Sequence, residues 1–295
     1  MQLREKQIEL LPSEEEIASY QEHGFYKSRK IFTDDEIDRA VEAQEFFYRG
    51  GKDVDTQVAG LEEYRPKNHP QNTLGKNDYA SFFSRELSQL IRHPVIAAIA
   101  SHLTGTKSIR LWHDQLLYKP SSKIGERIDI GWHTDRQYWQ VCSSGKMITA
   151  WIPFHDCNEE MGTITVVKGS HKWPEQSRNL DFFLRDTDNE TLEKDFITAG
   201  NEIVKHPVNL KKGEVSFHHC RTIHGSGPNI TDKPRRAIAV HMQDYDNRYV
   251  VSNRPDGSQF SHSIVELLKL SKPDNEPDFK HPILCPKLYD VENSI

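Results

Sequence analysis

The 295-residue chain is poor in cysteine and has no paired cysteine motif: Cys142, Cys157, Cys220 and Cys285 are widely separated. That spacing excludes a zinc ribbon and a disulfide-dense secreted scaffold. Long hydrophobic runs are missing too. The longest purely apolar stretch, 95–100 (VIAAIA), is far short of the roughly 20 residues that cross a bilayer, and the opening MQLREKQIEL lacks the apolar stretch of a secretory signal. Cationic clustering is equally absent. The 38 basic and 44 acidic residues give a net charge of −6, without the continuous positive surface that a phosphate backbone demands. Neither nucleic acid nor a membrane is an expected partner, and the cytoplasm, with its thiols reduced, is the expected location. No repeat, low-complexity tract or convincing linker divides the chain, so one domain over 1–295 is expected.

What is there is the composition of a folded protein, 36% hydrophobic and 28% charged, with 15 prolines and 16 glycines. Residues 1–104 read as mainly helical, because Ser13 with Glu16 and Thr33 with Glu36 form capping boxes ahead of apolar periodic stretches. After Thr33, residues Ile37, Ala40, Val41, Gln44 and Phe47 fall near one face. Asp34, Asp35 and Glu36 then sit at the positive end of the helix dipole, which makes that acidic run a helix start rather than a metal site. Residues 60–78 lose periodicity and gain Pro, Asn and Gly, marking a long loop of the kind used as lids. Helices are expected over 79–91 and 94–103, with Pro94 in a first turn.

From about 105 to 250 the character changes to short segments rich in β-branched and aromatic residues, at 109–118, 147–154, 163–167, 202–208, 214–217 and 235–243. They predict a mainly β sandwich or barrel with flanking helices, a helical insertion around 180–196, and a C-terminal helix and tail over 251–295.

Fifteen histidines make chance metal motifs common, and a lone His-x-Asp at 133–135 has little weight by itself. Its geometry has more. At period two, His133 and Asp135 point to the same side of an extended strand and offer one imidazole and one carboxylate to a single ion. The best third donor is His224, 89 residues beyond Asp135, after a strand-like stretch and at the entry to a Gly/Pro/Asn-rich turn. Two histidines and a carboxylate on one face leave positions open, as in non-haem Fe(II) oxygenases. Zinc accepts the same donors, and ordinary hydrogen-bonded histidines fit the spacing as well.

Eleven residues after His224, Arg235 opens the strand-like RRAIAVH. An antiparallel return would bring its guanidinium near the metal, suited to a bidentate grip on a dicarboxylate. Alternation puts Arg235 with Ala237, Ala239 and His241, and Arg236 with Ile238, Val240 and Met242. The small-residue face leaves room for a bound acid, which favours Arg235; an Arg–Arg pair on the surface is the plain alternative.

The ordered segments WHTD (132–135), EEMGTITVVKGSHK (159–172), KKGEVSFHH (211–219) and HGSGPNITDKPRRAI (224–238) together resemble the phytanoyl-CoA dioxygenase family of Fe(II)/2-oxoglutarate-dependent oxygenases. The earlier GFYKSRKIFTDDEID resembles the family's opening strand and helix. The resemblance implies a double-stranded β-helix (jelly-roll, cupin-like) core with iron at one open end, held by His133, Asp135 and His224. It implies 2-oxoglutarate and O2 as co-substrates, Arg235 and Ser226 as the grip on the distal carboxylate, and Trp151 and Gln115 as further walls of that site. Halogenating relatives have a small residue where Asp135 stands, so hydroxylation is expected over chlorination. The family spans many small molecules, and the ending Glu292-Asn293-Ser294-Ile295 is unlike an SKL-type peroxisomal address.

Of the other candidates, Arg136, Gln137, Tyr138 and Trp139 follow the His-x-Asp directly, and the aromatic pair suits either a substrate wall or the core. His171 reads as part of a turn. His218 and His219 are neighbours on a strand and face opposite sides, so at most one reaches a metal, and both read as structural. The expected function is oxidation of a C–H bond of a small organic molecule. The rivals are a metal-free or zinc-loaded jelly-roll binding protein and a zinc hydrolase.

Overall fold

A computed structural model describes residues 3–123, 125, 127–174, 186–254, 256–272 and 276–293 of the protein. A single turn, α1 (Glu5–Ile8), leads to two helices opened by the capping boxes. Ser13 Oγ accepts from the Glu16 amide at 3.2 Å while the Glu16 carboxylate accepts from the Ser13 amide at 2.8 Å, starting α2 (Glu14–His23). Thr33 and Glu36 exchange the same bonds ahead of α3 (Asp34–Tyr48). Gly24, at φ +81°, ends α2 in the left-handed conformation that glycine adopts without strain. The buried face of α3 has Ile37, Ala40, Gln44 and Phe47 of the periodic set read from the sequence, while Val41 of that set is only partly buried.

The helix expected over 79–91 is interrupted. Tyr79 takes φ +62°, its amide donates to Asp114 O, and Ser81 donates from its amide and hydroxyl to the Asp114 carboxylate at 3.1 and 2.6 Å. These tertiary bonds displace the local helical ones, and α4 (Arg85–Ile91) starts only after Ser84 caps it. The next helix, α5 (Pro94–Thr104), is buried on nearly all sides, as its lack of a polar face requires. Ile96 and Ile99 on it are fully buried, each contributing about 1.5–3 kcal/mol by burial. Of the insertion expected around 180–196, the part from 186 is helical, α6 (Asp186–Thr198), and the part before it lies outside the described residues. Helix α7 (Ser263–Leu270) lies in the C-terminal region.

The strands are β1 (Phe25–Lys27), β2 (Gly75–Asp78), β3 (Ser108–Lys119), β4 (Ile130–His133), β5 (Ile148–Pro153), β6 (Thr165–Val167), β7 (Lys205–Pro207), β8 (Ser216–His219), β9 (His224–Ser226), β10 (Arg235–Asp244) and β11 (Lys287–Asp290). A seven-stranded sheet runs β1-β8-β5-β10-β3-β11, with β2 also on β3, and a four-stranded sheet runs β4-β9-β6-β7; all pairings are antiparallel. This is the two-sheet jelly roll flanked by helices. Two strands form in segments where none was expected: β2 inside the loop read over 60–78, and β11 in the tail; β9 forms where a turn was expected. Strands β2 and β11 both add to the free edge of β3, which supplies the backbone partners that neither short segment has locally.

Strand β10 shows why both of its faces read as interior. Ile238, Val240 and Met242 join the core against the helices, with Ile148, Ala150 and Ile152 of β5. Ala237 and Ala239 face the other way, toward Trp151, Ile164 and Val166 between the sheets. The helix-side face is filled by branched side chains, while the alanines leave space inside the roll. Gln44 of α3 donates to Leu117 O at 3.0 Å and docks the helical layer on β3. No helix of the described residues is long and apolar enough to cross a membrane.

Candidate active site

Strand β4 ends at His133, and Thr134 is extended (φ −118°, ψ 146°) while its Oγ1 accepts from the Gln137 amide, capping a 3-10 turn over Asp135–Tyr138. Asp135 therefore opens a turn and does not continue the strand as period two supposed, yet one extended residue between the two side chains keeps them on one side. His224 likewise departs from expectation: it begins β9 and pairs with His133 across the β4–β9 ladder. One donor atom from each of His133, Asp135 and His224 lies within 4.8 Å of the others, and all three side chains are buried. The imidazole centroids are 4.1 Å apart, and His224 Nε2 is 3.8 Å from Asp135 Oδ1.

The surrounding backbone sets the tautomers. His133 Nδ1 is 2.8 Å from Gly131 O and His224 Nδ1 is 2.9 Å from Thr222 O. A carbonyl only accepts, so each Nδ1 carries the proton and each Nε2 the lone pair. On Asp135 the second oxygen, Oδ2, accepts from Thr149 Oγ1 at 2.5 Å and from His218 Nε2 at 3.1 Å. The Thr149 hydroxyl has one proton, given to Asp135, so at 2.8 Å it accepts from His241 Nδ1. Burial pushes the Asp135 carboxyl up, but the His218 hydrogen bond and the neighbouring His224 and His241 outweigh it and hold the group well below the ordinary carboxylate range. Burial lowers His133 to about 4 against the pull of Asp135, and burial with His133 and His218 nearby holds His224 well below its ordinary value. Two neutral imidazoles and one carboxylate are the species that ligate a divalent metal.

At the other end of the same cavity, of about 60 Å³, stand Arg235 and Ser226, with Trp151 and Gln115 in its walls. Arg235 donates to Gly162 O at 2.6 Å and to Ser226 Oγ at 3.3 Å, and its guanidinium carbon lies 5.4 Å from the Trp151 ring centroid. Lys119 pairs with Arg235 in the β3–β10 register and is fully buried; its ammonium donates to Ser226 Oγ at 2.7 Å and Gly227 O at 2.8 Å. Ala239 keeps this end open, while Arg236 faces outward, with Glu45 at 2.9 Å.

Of the remaining candidates, His218 turns inward to Asp135, whereas His219 faces out, accepting from the Arg221 amide and lying 5.3 Å from the His171 ring. His171 bonds Gln21 O away from the triad. Trp139 is buried against His241 at 5.0 Å. Sequence reasoning missed Thr149 and Lys119 and gave His218 no part at the site. Thr149 shares its strand parity with Trp151, a signal that alternation supplies; for Lys119 only the ladder opposite Arg235 supplies one.

The donor set tests well against a first-row divalent ion, since each His Nδ1 is occupied by a carbonyl and Asp135 Oδ1 faces the histidines. The far end tests well against a dicarboxylate. Among the described residues, Arg235 Nε is buried without a hydrogen-bond partner, and neither Arg235 nor Lys119 is ion-paired with a carboxylate. Two buried cations without an anion carry a desolvation cost that a bound carboxylate would relieve.

The family model for Phytanoyl-CoA dioxygenase (PhyH) matches residues 20–237, most of the chain. The protein belongs to the phytanoyl-CoA dioxygenase family. Membership of that family makes it an iron- and 2-oxoglutarate-dependent dioxygenase. Among curated family relatives, the ectoine dioxygenase of Bordetella bronchiseptica is 25% identical over 271 residues, covering 83% of this chain and 81% of that protein. The peroxisomal phytanoyl-CoA dioxygenase of Homo sapiens is 26% identical over 254 residues, covering 78% and 68%. The epimerase SnoN, solved in complex with Fe3+, alpha ketoglutarate and nogalamycin RO, has the same fold, with a TM-score of 0.66 at 23% identity over 93% of this chain and 98% of that one.

Proposed function

We propose that the protein, acting as one domain in the cytoplasm, holds Fe(II) with His133, Asp135 and His224 and grips 2-oxoglutarate with Arg235 and Ser226, to hydroxylate a C–H bond of a small organic molecule. One observation carries this reading: three metal-competent donors within 4.8 Å of one another share a cavity with a buried guanidinium. Bound Fe(II) supplies the oxidation, in which O2 and 2-oxoglutarate give succinate and CO2 and one oxygen atom enters the C–H bond. The chain supplies position. Thr149 and His218 hold Oδ2 of Asp135, which aims Oδ1 at the histidines. Lys119 and Arg235 both donate to Ser226 Oγ, so the serine proton is left to point at the distal carboxylate. Trp151 flanks the guanidinium, and Gln115 walls the same cavity. A cytoplasmic setting fits four buried cysteines that form no disulfide.

The test is succinate formation with Fe(II), 2-oxoglutarate and O2, together with direct measurement of bound iron. Turnover and iron binding are expected to fall together in His133→Ala and Asp135→Ala. Metal-dependent turnover without O2 or 2-oxoglutarate would replace this reading with a zinc hydrolase, and wild-type protein that binds no metal would replace it with a binding protein.

A further inference from the structure

A second chamber, of about 360 Å³, adjoins the triad and shares Lys76, Gln115, His133, Asp135 and His241 with the narrower cavity. Its volume is that of a small-molecule site. His113 lines it from β3, is only 2% exposed, and among the described residues has no hydrogen-bond partner at either ring nitrogen. Its Nδ1 is 4.0 Å from Asp78 Oδ1, which is also buried without a partner. A buried donor or acceptor left unpaired keeps its full desolvation cost, and such groups in a native protein call for an explanation, a bound partner among them. The ring cannot swing away, being packed against His241 at 4.4 Å, His262 at 4.9 Å and Tyr79 at 6.0 Å between centroids.

The neighbouring rings have readable polarity. His262 Nδ1 accepts from the Ile264 amide, which leaves the proton on Nε2, whereas His241 Nδ1 donates to Thr149, which leaves a lone pair on Nε2. His113 brings one donor and one acceptor in either tautomer. Burial keeps these rings uncharged, lowering His262 to about 3 and His113 well below its ordinary value. Of the charged residues lining the chamber, Lys76 and Arg254 are exposed, Asp135 belongs to the triad, and burial pushes the Asp78 carboxyl up. The wall formed by His113, His241 and His262 is therefore neutral, polar, and able to offer both donors and acceptors.

We propose that the substrate is a compact hydroxyl-rich molecule of sugar or cyclitol size, with hydroxyls seated on His113 and His262 beside the carbon that is oxidised. A hydroxyl donates and accepts at once, which matches imidazoles of either tautomer. An acyl chain would leave both ring nitrogens of His113 unpaired. The proposal rests on the dioxygenase reading of the adjoining triad.

The experiment uses the full chain loaded with Fe(II) and 2-oxoglutarate, and a panel of monosaccharides, cyclitols and sugar alcohols set against fatty acyl-CoA thioesters and terpene hydrocarbons. Succinate release, product mass and melting temperature are read for wild type, His113→Leu and His113→Gln. At least one polyhydroxylated compound is expected to raise succinate release tenfold and gain one oxygen. His113→Leu is expected to raise its KM at least tenfold with no loss of melting temperature, and His113→Gln to recover part of the affinity. Stimulation confined to the thioesters or hydrocarbons overturns the proposal, as does a silent panel on an enzyme that binds iron and 2-oxoglutarate. A wild-type KM in His113→Leu, or a KM change that only tracks a fall in melting temperature, overturns it as well. Wild-type protein that binds neither iron nor 2-oxoglutarate brings down the underlying reading, and this proposal with it.

Discussion

Replacing Lys119 by methionine removes a buried charge while keeping an unbranched side chain. The ammonium donates to Ser226 Oγ, Ser226 O and Gly227 O, and burial together with Arg235 pushes its pKa well below the ordinary lysine value. On the proposed binding mode, the distal carboxylate loses one of two nearby positive groups and the oriented Ser226 hydroxyl in Lys119→Met. A hydrogen bond involving a charged group is worth about 1.5–3 kcal/mol, and each 1.4 kcal/mol is tenfold in affinity, so KM for 2-oxoglutarate should rise roughly 10- to 150-fold. The two carbonyls lose a donor at about 1 kcal/mol each. Removing an uncompensated buried charge offsets that loss, so the melting temperature without co-substrate should move by only a few degrees. The assay is succinate release against 2-oxoglutarate concentration, with a thermal melt of the same preparation. In the variant, discrimination against 2-oxobutyrate, which lacks the distal carboxylate, should shrink in parallel. An unchanged KM for 2-oxoglutarate beside a large drop in stability would refute the reasoning and make Lys119 a packing residue.

Thr149→Val deletes the hydroxyl between Asp135 and His241, and should weaken iron binding about 10- to 100-fold in chelator competition; a change under twofold would count against it. Gly162→Ala places a Cβ 2.5 Å from Gly227 O at φ +71° and shifts the carbonyl that anchors Arg235. It should destabilise the fold by more than about 1 kcal/mol in a denaturant titration and raise KM for 2-oxoglutarate. Asp114 is raised from 3.8 to about 6 by burial, against the lowering bonds from Ser81. The folded state then retains a proton that the unfolded state releases, so this site loses stability as pH rises from about 4 through 6. The difference, 6 − 3.8, corresponds to roughly 3 kcal/mol at 1.36 kcal/mol per pH unit. Asp114→Asn should therefore gain on the wild type by that amount between pH 4 and pH 7 in denaturant melts; a constant difference would refute the assignment.

How much of this was legible follows the range of the physics. Ser13 and Thr33 announce their helices because a cap is satisfied within four residues, and Pro94 because its fixed φ and missing N–H suit a first turn. Alternation along β10 separates Arg235, with its alanines, from Arg236, because side-chain direction in a strand is a local property. The break at Tyr79 was not legible, since its cause is Asp114 on another strand, and neither was β2, whose partners all belong to β3.

By itself the sequence determined the residue types able to ligate a metal, the helix starts, the strand-rich middle and, through the joint order of its motifs, the family. Only the tertiary structure decided that His224 faces His133 across a ladder, that Lys119 lies beneath Ser226, and that Thr149 and His218 share one oxygen of Asp135. Register between strands far apart in the chain and burial away from water create those relations, and both come from long-range pairing that no local pattern of residues encodes.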